Sequence, residues 1–297
     1  MARTTRKIET PSGQVHVESP LLELKHRDTS GAPSRWVWRD APKAPDAAAL
    51  AACGFSGSVF VPSAGATNLL LLLHGLGDRP QPFAELARKM SLPQTAALAL
   101  RAPINLPFGL EGSQWHEPFD EASGEPIAPG PVEKRRVCSL QETRAQLLRL
   151  LRLLDECGWP ARRIFLLGYA QGGTAALDLS LHAACRLGGV VSVCGHPLAE
   201  AVHVGLPPVS GGAKETPVVV IAAEDDAETP IPVARQRLEA LRSAFGGVPT
   251  VALRELPGRG ELAESEAQMR CMMEFFAAHL ELRSKALEED PSLIRVA

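Results

Sequence analysis

No apolar run in this 297-residue sequence approaches the ~20 residues that a membrane-spanning helix needs; the longest are short, such as Leu69–Leu73. A basic surplus is also missing. Lys plus Arg number 31 against 34 for Asp plus Glu, a net charge of −3, so the overall footprint of a nucleic-acid binder is absent. The six cysteines, Cys53, Cys138, Cys157, Cys185, Cys194 and Cys271, include no CxxC pair and are widely scattered. That excludes a zinc signature and a disulfide framework and leads to the expectation of reduced thiols in a cytoplasmic protein. No HExxH or other metal spacing occurs, and no metal or other cofactor is expected. No apolar segment follows Arg3, Arg6 and Lys7, so a secretory signal is not expected, while a weak organellar transit peptide stays open. There is no internal repeat. What is present, 45% hydrophobic and 22% charged residues, is the balance of a soluble globular protein rather than a disordered or collagen-like chain.

The pattern divides the chain into an N-terminal extension (1–55), a main domain (56–283) and a polar tail (284–297). The extension offers two short strands, Gln14–Glu18 and Arg35–Arg39, between turn-rich stretches. Trp36 and Trp38 alternate with Val37, which suits an edge strand covering a sheet face better than an exposed binding strip. From residue 56, strands and helices alternate. Strands are expected at Val59–Val61, Leu69–Leu73, Ala97–Leu100, Ile164–Leu167, Val190–Val193, Val218–Ala222 and Val251–Leu256. Helices are expected at Pro82–Met90, from Ser139 onward, and at Gly172–Leu181, Val233–Phe245 and Ser265–Leu282. Ser139 and Glu142 have capping-box spacing, which places a helix start at Ser139. The alternation predicts an α/β fold with a mostly parallel sheet covered on both faces. The Pro- and Gly-rich segment Ala102–Val137 is long enough for a functional loop, and it is expected over the mouth of a site with Glu121–Pro131 mobile.

Ile164-Phe165-Leu166-Leu167-Gly168-Tyr169-Ala170-Gln171-Gly172-Gly173 runs from a buried strand through a glycine-flanked turn into a helix. That is the context of the Gly-x-Ser-x-Gly nucleophile elbow, in which a sharp turn lifts the central side chain above the sheet and the helix N-terminus faces a developing oxyanion. Taken alone, the pattern fits any strand–turn–helix with glycines equally. Its centre is Ala170, and a methyl group cannot attack a carbonyl.

A second motif, His74-Gly75-Leu76-Gly77-Asp78, ends the apolar strand Leu70–Leu73. With Trp115 in the long loop and Gly168–Gly173, in that order and at that separation, the sequence resembles the carboxylesterase and acyl-protein thioesterase family of α/β-hydrolases over about residues 58–283. The resemblance implies a doubly wound α/β-hydrolase fold. It implies oxyanion N–H groups at Leu76 and Gln171, and a pocket lined by His74, Gly75, Trp115 and Tyr169. The family's acid maps to Asp226, beside Asp225 and Glu228 and ahead of Pro230, although a solvated acidic turn reads the same way. The family's histidine maps to Glu261, since no histidine lies between His203 and His279. Two of three triad positions therefore carry the wrong residue, and loss of triad members costs orders of magnitude in rate.

His116 and His196 are the histidines that could approach the site, and Cys194 has no neighbouring cation in sequence to lower its pKa. Asp226 and Glu261 would put two carboxylates into one small site unless Arg259 neutralises them. The expectation is an esterase-like protein that holds an acyl or ester ligand, or a protein partner, without turnover. The alternatives are a hydrolase with an unconventional nucleophile or base, and a scaffold with a collapsed pocket.

Overall fold

The computed structural model describes residues 5–10, 13–18, 42–120, 122–130, 132–248 and 250–282. Thr5–Thr10 (β1) pairs antiparallel with Gly13–Glu18 (β2), Thr10 lying opposite Gly13, and the strand expected at Gln14–Glu18 falls within β2. Arg35–Arg39, Trp36 and Trp38 and the expected tail 284–297 lie outside the described residues. Pro42–Glu281 forms a compact unit of its own.

That unit opens with α1 (Ala47–Ala52), whose N-cap Asp46 accepts the Ala48 N–H at 2.7 Å. Leu50, Cys53 and Phe55 are buried, so the apolar core takes in residues ahead of position 56, where the sequence reading begins the domain. There follow β3 (Val59–Val61), β4 (Asn68–Leu73), α2 (Pro80–Met90), β5 (Thr95–Leu100), a hairpin of β6 (Ile104–Asn105) and β7 (Ser113–Gln114), and α3 (Arg135–Glu156). The second half contains β8 (Ile164–Tyr169), α4 (Gln171–His182), β9 (Gly189–Val193), α5 (Ala199–Val204), β10 (Val218–Ala223), α6 (Ile231–Ala244), β11 (Val251–Leu256) and α7 (Glu266–His279).

Among the described residues one seven-stranded sheet runs in the order β11-β10-β9-β8-β4-β5-β3, parallel except where β3 meets β5. The apolar runs explain its centre. Every residue of β4 is buried, because alternate side chains enter two different cores. Leu69, Leu71 and Leu73 join Ile164 and Leu166 of β8 under α1, α3, α4 and α6. Leu70 and Leu72 join Phe165 and Leu167 under α2 and α7. The expected doubly wound α/β fold is what forms.

One helix start differs from expectation. α3 begins at Arg135, and Ser139 lies inside it. The Ser139 hydroxyl donates to the Arg135 carbonyl at 3.0 Å and accepts the Glu117 N–H at 3.0 Å, so it bonds back along the helix and ties down the preceding loop instead of capping. α7 starts right after Ser265, where the sequence places the start of its last helix, and the Ser265 hydroxyl caps it by accepting the Gln268 N–H at 3.2 Å.

Candidate active site

The turn between β8 and α4 has Ala170 at φ 47° and ψ −113°. A non-glycine residue there carries about 1–3 kcal/mol of backbone strain and holds only when its surroundings enforce it. Two close approaches enforce it. A Cβ on Gly172 would sit 2.2 Å from the Leu73 carbonyl oxygen, and one on Gly168 would sit 2.4 Å from the Gly172 oxygen. The strand and helix backbones therefore nearly touch, and the chain between them must turn sharply. The Ala170 N–H donates to Val193 at 2.8 Å and its carbonyl accepts the Thr174 N–H at 3.0 Å. The elbow is thus held by main-chain contacts and does not need a serine. At the first position of α4, the Gln171 N–H has no acceptor within the helix and is available to an anion.

Facing it is the loop after β4. His74 is fully buried and donates from Nδ1 to the Gly75 carbonyl at 2.7 Å, while its Nε2 accepts the Ala102 N–H at 3.1 Å and the Ser113 hydroxyl at 3.2 Å. Those partners fix the neutral Nδ1–H tautomer, and burial lowers its pKa in the same sense. The Gly75 N–H donates to Asp78 Oδ2 at 3.2 Å and the Gly77 N–H to the Ser113 carbonyl at 3.0 Å. Leu76, at the open part of this turn, is 40% exposed. The Gln171 side chain joins the two halves of the site. Its Oε1 accepts the Trp115 N–H at 2.6 Å and its Nε2 donates to the His116 carbonyl at 2.9 Å.

Asp226 follows β10, and its Oδ1 accepts the N–H groups of Glu228 at 2.8 Å and Thr229 at 3.2 Å. A Cβ on Gly260 would lie 2.8 Å from Cys194 Sγ and 3.7 Å from Asp226 Cγ, so the turn after β11 closes over that acid. Glu261 is the next residue. Its side chain is exposed, as is that of Arg259. Water therefore screens both, and Glu261 reaches solvent rather than a closed site beside Asp226, where the sequence left crowding and neutralisation by Arg259 equally open. Among the described residues no three His, Cys, Asp or Glu side chains converge to hold a metal ion.

Residues 56–280 match the phospholipase/carboxylesterase family. The chain belongs to it. An uncharacterised hydrolase of Mycosarcoma maydis is 36% identical over 206 residues, 63% of this chain and 75% of that protein. Acyl-protein thioesterase 1 of Neurospora crassa is 27% identical over 168 residues, 54% of this chain and 67% of that one. Among solved structures, esterase PE8 superposes with a TM-score of 0.62 at 22% identity, covering 75% of this chain and 99% of its own. Arabidopsis thaliana SOBER1 gives 0.58 at 21%, covering 72% and 99%. At those identities the structures speak for the fold alone.

Within this phospholipase/carboxylesterase fold, three of the four residues assigned to the pocket lining, His74, Gly75 and Trp115, are buried. Trp115 and His74 each have 0% exposure. The indole N–H of Trp115 donates to the His74 carbonyl at 2.8 Å, and its ring packs 6.3 Å from Phe55 and 5.5 Å from His74. A large ring with one donor is satisfied best in the core beside an acceptor, so Trp115 braces the His74 loop from behind. Gly75 is also buried, whereas Tyr169 is half-buried with its ring against Gly75. Burial first, then the negative charge that Cys194 would carry and that of Asp78, Glu261 and Asp226, raises the Tyr169 phenol pKa and keeps it a neutral donor.

The remaining candidate bases and nucleophiles all have shifted pKa values. Burial, then the Arg136 charge, lowers His116 to about 3. Burial, then Arg237, lowers His196 to about 4. Burial, with the Asp226 carboxylate beside it, pushes the Cys194 thiol up to about 12, so it is protonated at neutral pH. The sequence reading missed Glu264. Its carboxylate accepts N–H groups from Arg259 at 2.8 Å, Gly260 at 2.9 Å and Glu261 at 3.2 Å, and these bonds hold its pKa below the usual carboxylate range. A carboxylate a few residues after Gly258-Arg259-Gly260 is the signal that could have found it.

Proposed function

We propose that this family member binds an acyl or ester group at the elbow without hydrolysing it. The ligand oxygen is held by the N–H groups of Leu76 and Gln171, with Tyr169 beside it. The observation that carries the reading is Ala170 in an intact elbow; the sequence resemblance, which maps the family's histidine to Glu261, supports it. Oxyanion donors are main-chain groups, so they persist when the nucleophile is lost. The raised Cys194 thiol speaks against that residue as a substitute nucleophile, and the lowered His116 and His196 speak against either as a substitute base.

Two measurements test this together. Hydrolysis of p-nitrophenyl hexanoate by the purified protein should stay at the level of uncatalysed acyl transfer to surface lysines, and a serine-directed fluorophosphonate should not label the chain. Hexanoate esters should raise the melting temperature. Ala170→Leu, which fills the space above the elbow, should abolish that rise while the protein stays folded. Turnover well above background, sensitive to Ala170→Leu, would replace this reading with that of an active hydrolase. Absence of any ligand-induced shift would favour a scaffold.

A further inference from the structure

Beside the elbow, five titratable side chains gather from separate parts of the chain: His116, Arg136 of α3, His196, Glu200 of α5 and Arg237 of α6. Two are tied directly to the elbow helix. The His116 carbonyl accepts from Gln171 Nε2 at 2.9 Å, and the His196 carbonyl accepts from Thr174 Oγ1 at 2.8 Å. Gly195 abuts the turn itself, since a Cβ there would lie 2.5 Å from the Ala170 carbonyl oxygen.

The cluster is buried yet poorly satisfied. Arg136 Nε lies 3.2 Å from Glu200 Oε1, with the Glu200 side chain 2% exposed, but the angle is wrong for a hydrogen bond. Neither Glu200 oxygen accepts one among the described residues. His196 is 4% exposed and its Nε2 has no hydrogen-bond partner among the described residues. Arg237 is half-buried within electrostatic reach of Arg136, Glu200 and His196 and forms no hydrogen bond among the described residues. Two guanidinium groups thus face one carboxylate, and both histidines are neutral. A surplus positive charge with idle donors, in a low-dielectric place, is matched by an anion with several acceptor positions. Arg237 is the exposed side through which such a group would reach the others.

Resting on the acyl-binding reading, we propose that Arg237, Arg136 and His196 form a carboxylate subsite adjoining the elbow, and that the ligand is an acyl group carrying a second, carboxylate function. In the empty protein Glu200 holds Arg136 in place. On binding, the ligand carboxylate takes donors from both guanidinium groups and from His196 Nε2–H.

The test is calorimetric titration of the full chain with monomethyl adipate and methyl hexanoate, two esters of equal acyl length that differ in a terminal carboxylate. Charge-assisted bidentate contacts should make monomethyl adipate bind about 10-fold or more tightly. Arg237→Gln and Arg136→Gln should each bring monomethyl adipate down to the level of methyl hexanoate. Arg237→Lys should keep part of the preference, which separates charge recognition from misfolding. Glu200→Gln, by removing a competing anion, should strengthen the preference. Equal binding of the two esters to the wild-type protein, or a preference that survives Arg237→Gln, overturns the subsite while leaving the acyl-binding reading in place; the cluster is then satisfied by water. Binding of neither ester removes both.

Discussion

Placing a serine at position 170 and a histidine at position 261 puts the proposed loss of turnover to its most direct test. In Ala170→Ser the new Oγ would stand on a turn whose backbone is already at φ 47°, so the substitution adds one oxygen and needs no rearrangement. It supplies no base, and a serine hydroxyl attacks poorly until a neighbour takes its proton. A carboxylate at position 261 is a poorer proton acceptor at neutral pH than the imidazole that the role calls for. Ala170→Ser alone should therefore give almost no hydrolysis of p-nitrophenyl hexanoate. Adding Glu261→His places an imidazole on the turn over Asp226, whose Oδ1 is occupied by the Glu228 and Thr229 N–H groups and whose Oδ2 is left to orient the ring. General-base assistance is worth about 10²–10⁴-fold, which sets the expected ratio of kcat/KM between the double and single variants. One obstacle is visible. The Cys194 side chain lies in the electrostatic neighbourhood of Asp226 and crowds the space at Gly260, so Cys194→Ala in the double variant should raise the rate further. Asp226→Ala should then remove most of it. A single variant as active as the double would refute the placement of Glu261 at the base position. Folded but inactive variants throughout would show that the pocket has degenerated beyond the triad.

Three further outcomes are expected. Gly172→Ala drives a Cβ to 2.2 Å from the Leu73 carbonyl, a main-chain atom that cannot step aside, and should cost about 3 kcal/mol or more in urea unfolding; a loss under 1 kcal/mol would mean the strand and helix can separate. His116 and His196 have folded pKa values of about 3 and about 4, below the usual 6.5, so the unfolded chain binds more protons between those limits. Stability should accordingly be complete above pH ~6.5 and fall as the pH drops towards 4 and 3, and His116→Gln should flatten that slope in pH-dependent unfolding. At pH 8 Cys194 should react with iodoacetamide far more slowly than the exposed Cys138, and Asp226→Asn, by removing the neighbouring negative charge, should speed it; mass spectrometry of the alkylated peptides reads both.

Much of the fold was legible because it depends on local patterns. The leucine run of β4 and the strand–glycine–helix spacing around Ala170 specify a buried central strand and a tight turn, whatever lies elsewhere. Misreadings came where one residue type serves two purposes. Ser139 has the spacing of a cap, but the loop it holds through Glu117 lets the helix start earlier at Arg135. Trp115 falls at a family pocket position, yet its N–H finds an acceptor behind the site and its ring goes to the core. The Arg136–Glu200–Arg237 group could not be seen at all, since its members sit on three helices and only the closed fold brings them together. The same holds for Cys194 and Asp226, which meet because adjacent parallel strands β9 and β10 end side by side.

The elbow's reliance on glycine contacts has a wider consequence. Its shape is written at positions 168, 172 and 195, and its chemistry at position 170, so the two can change independently. A change of the side chain at position 170 leaves the template standing, and the main-chain donors around the turn stay in place whatever residue it carries. A single base change from an alanine to a serine codon would thus place a hydroxyl on a turn whose backbone needs no rebuilding.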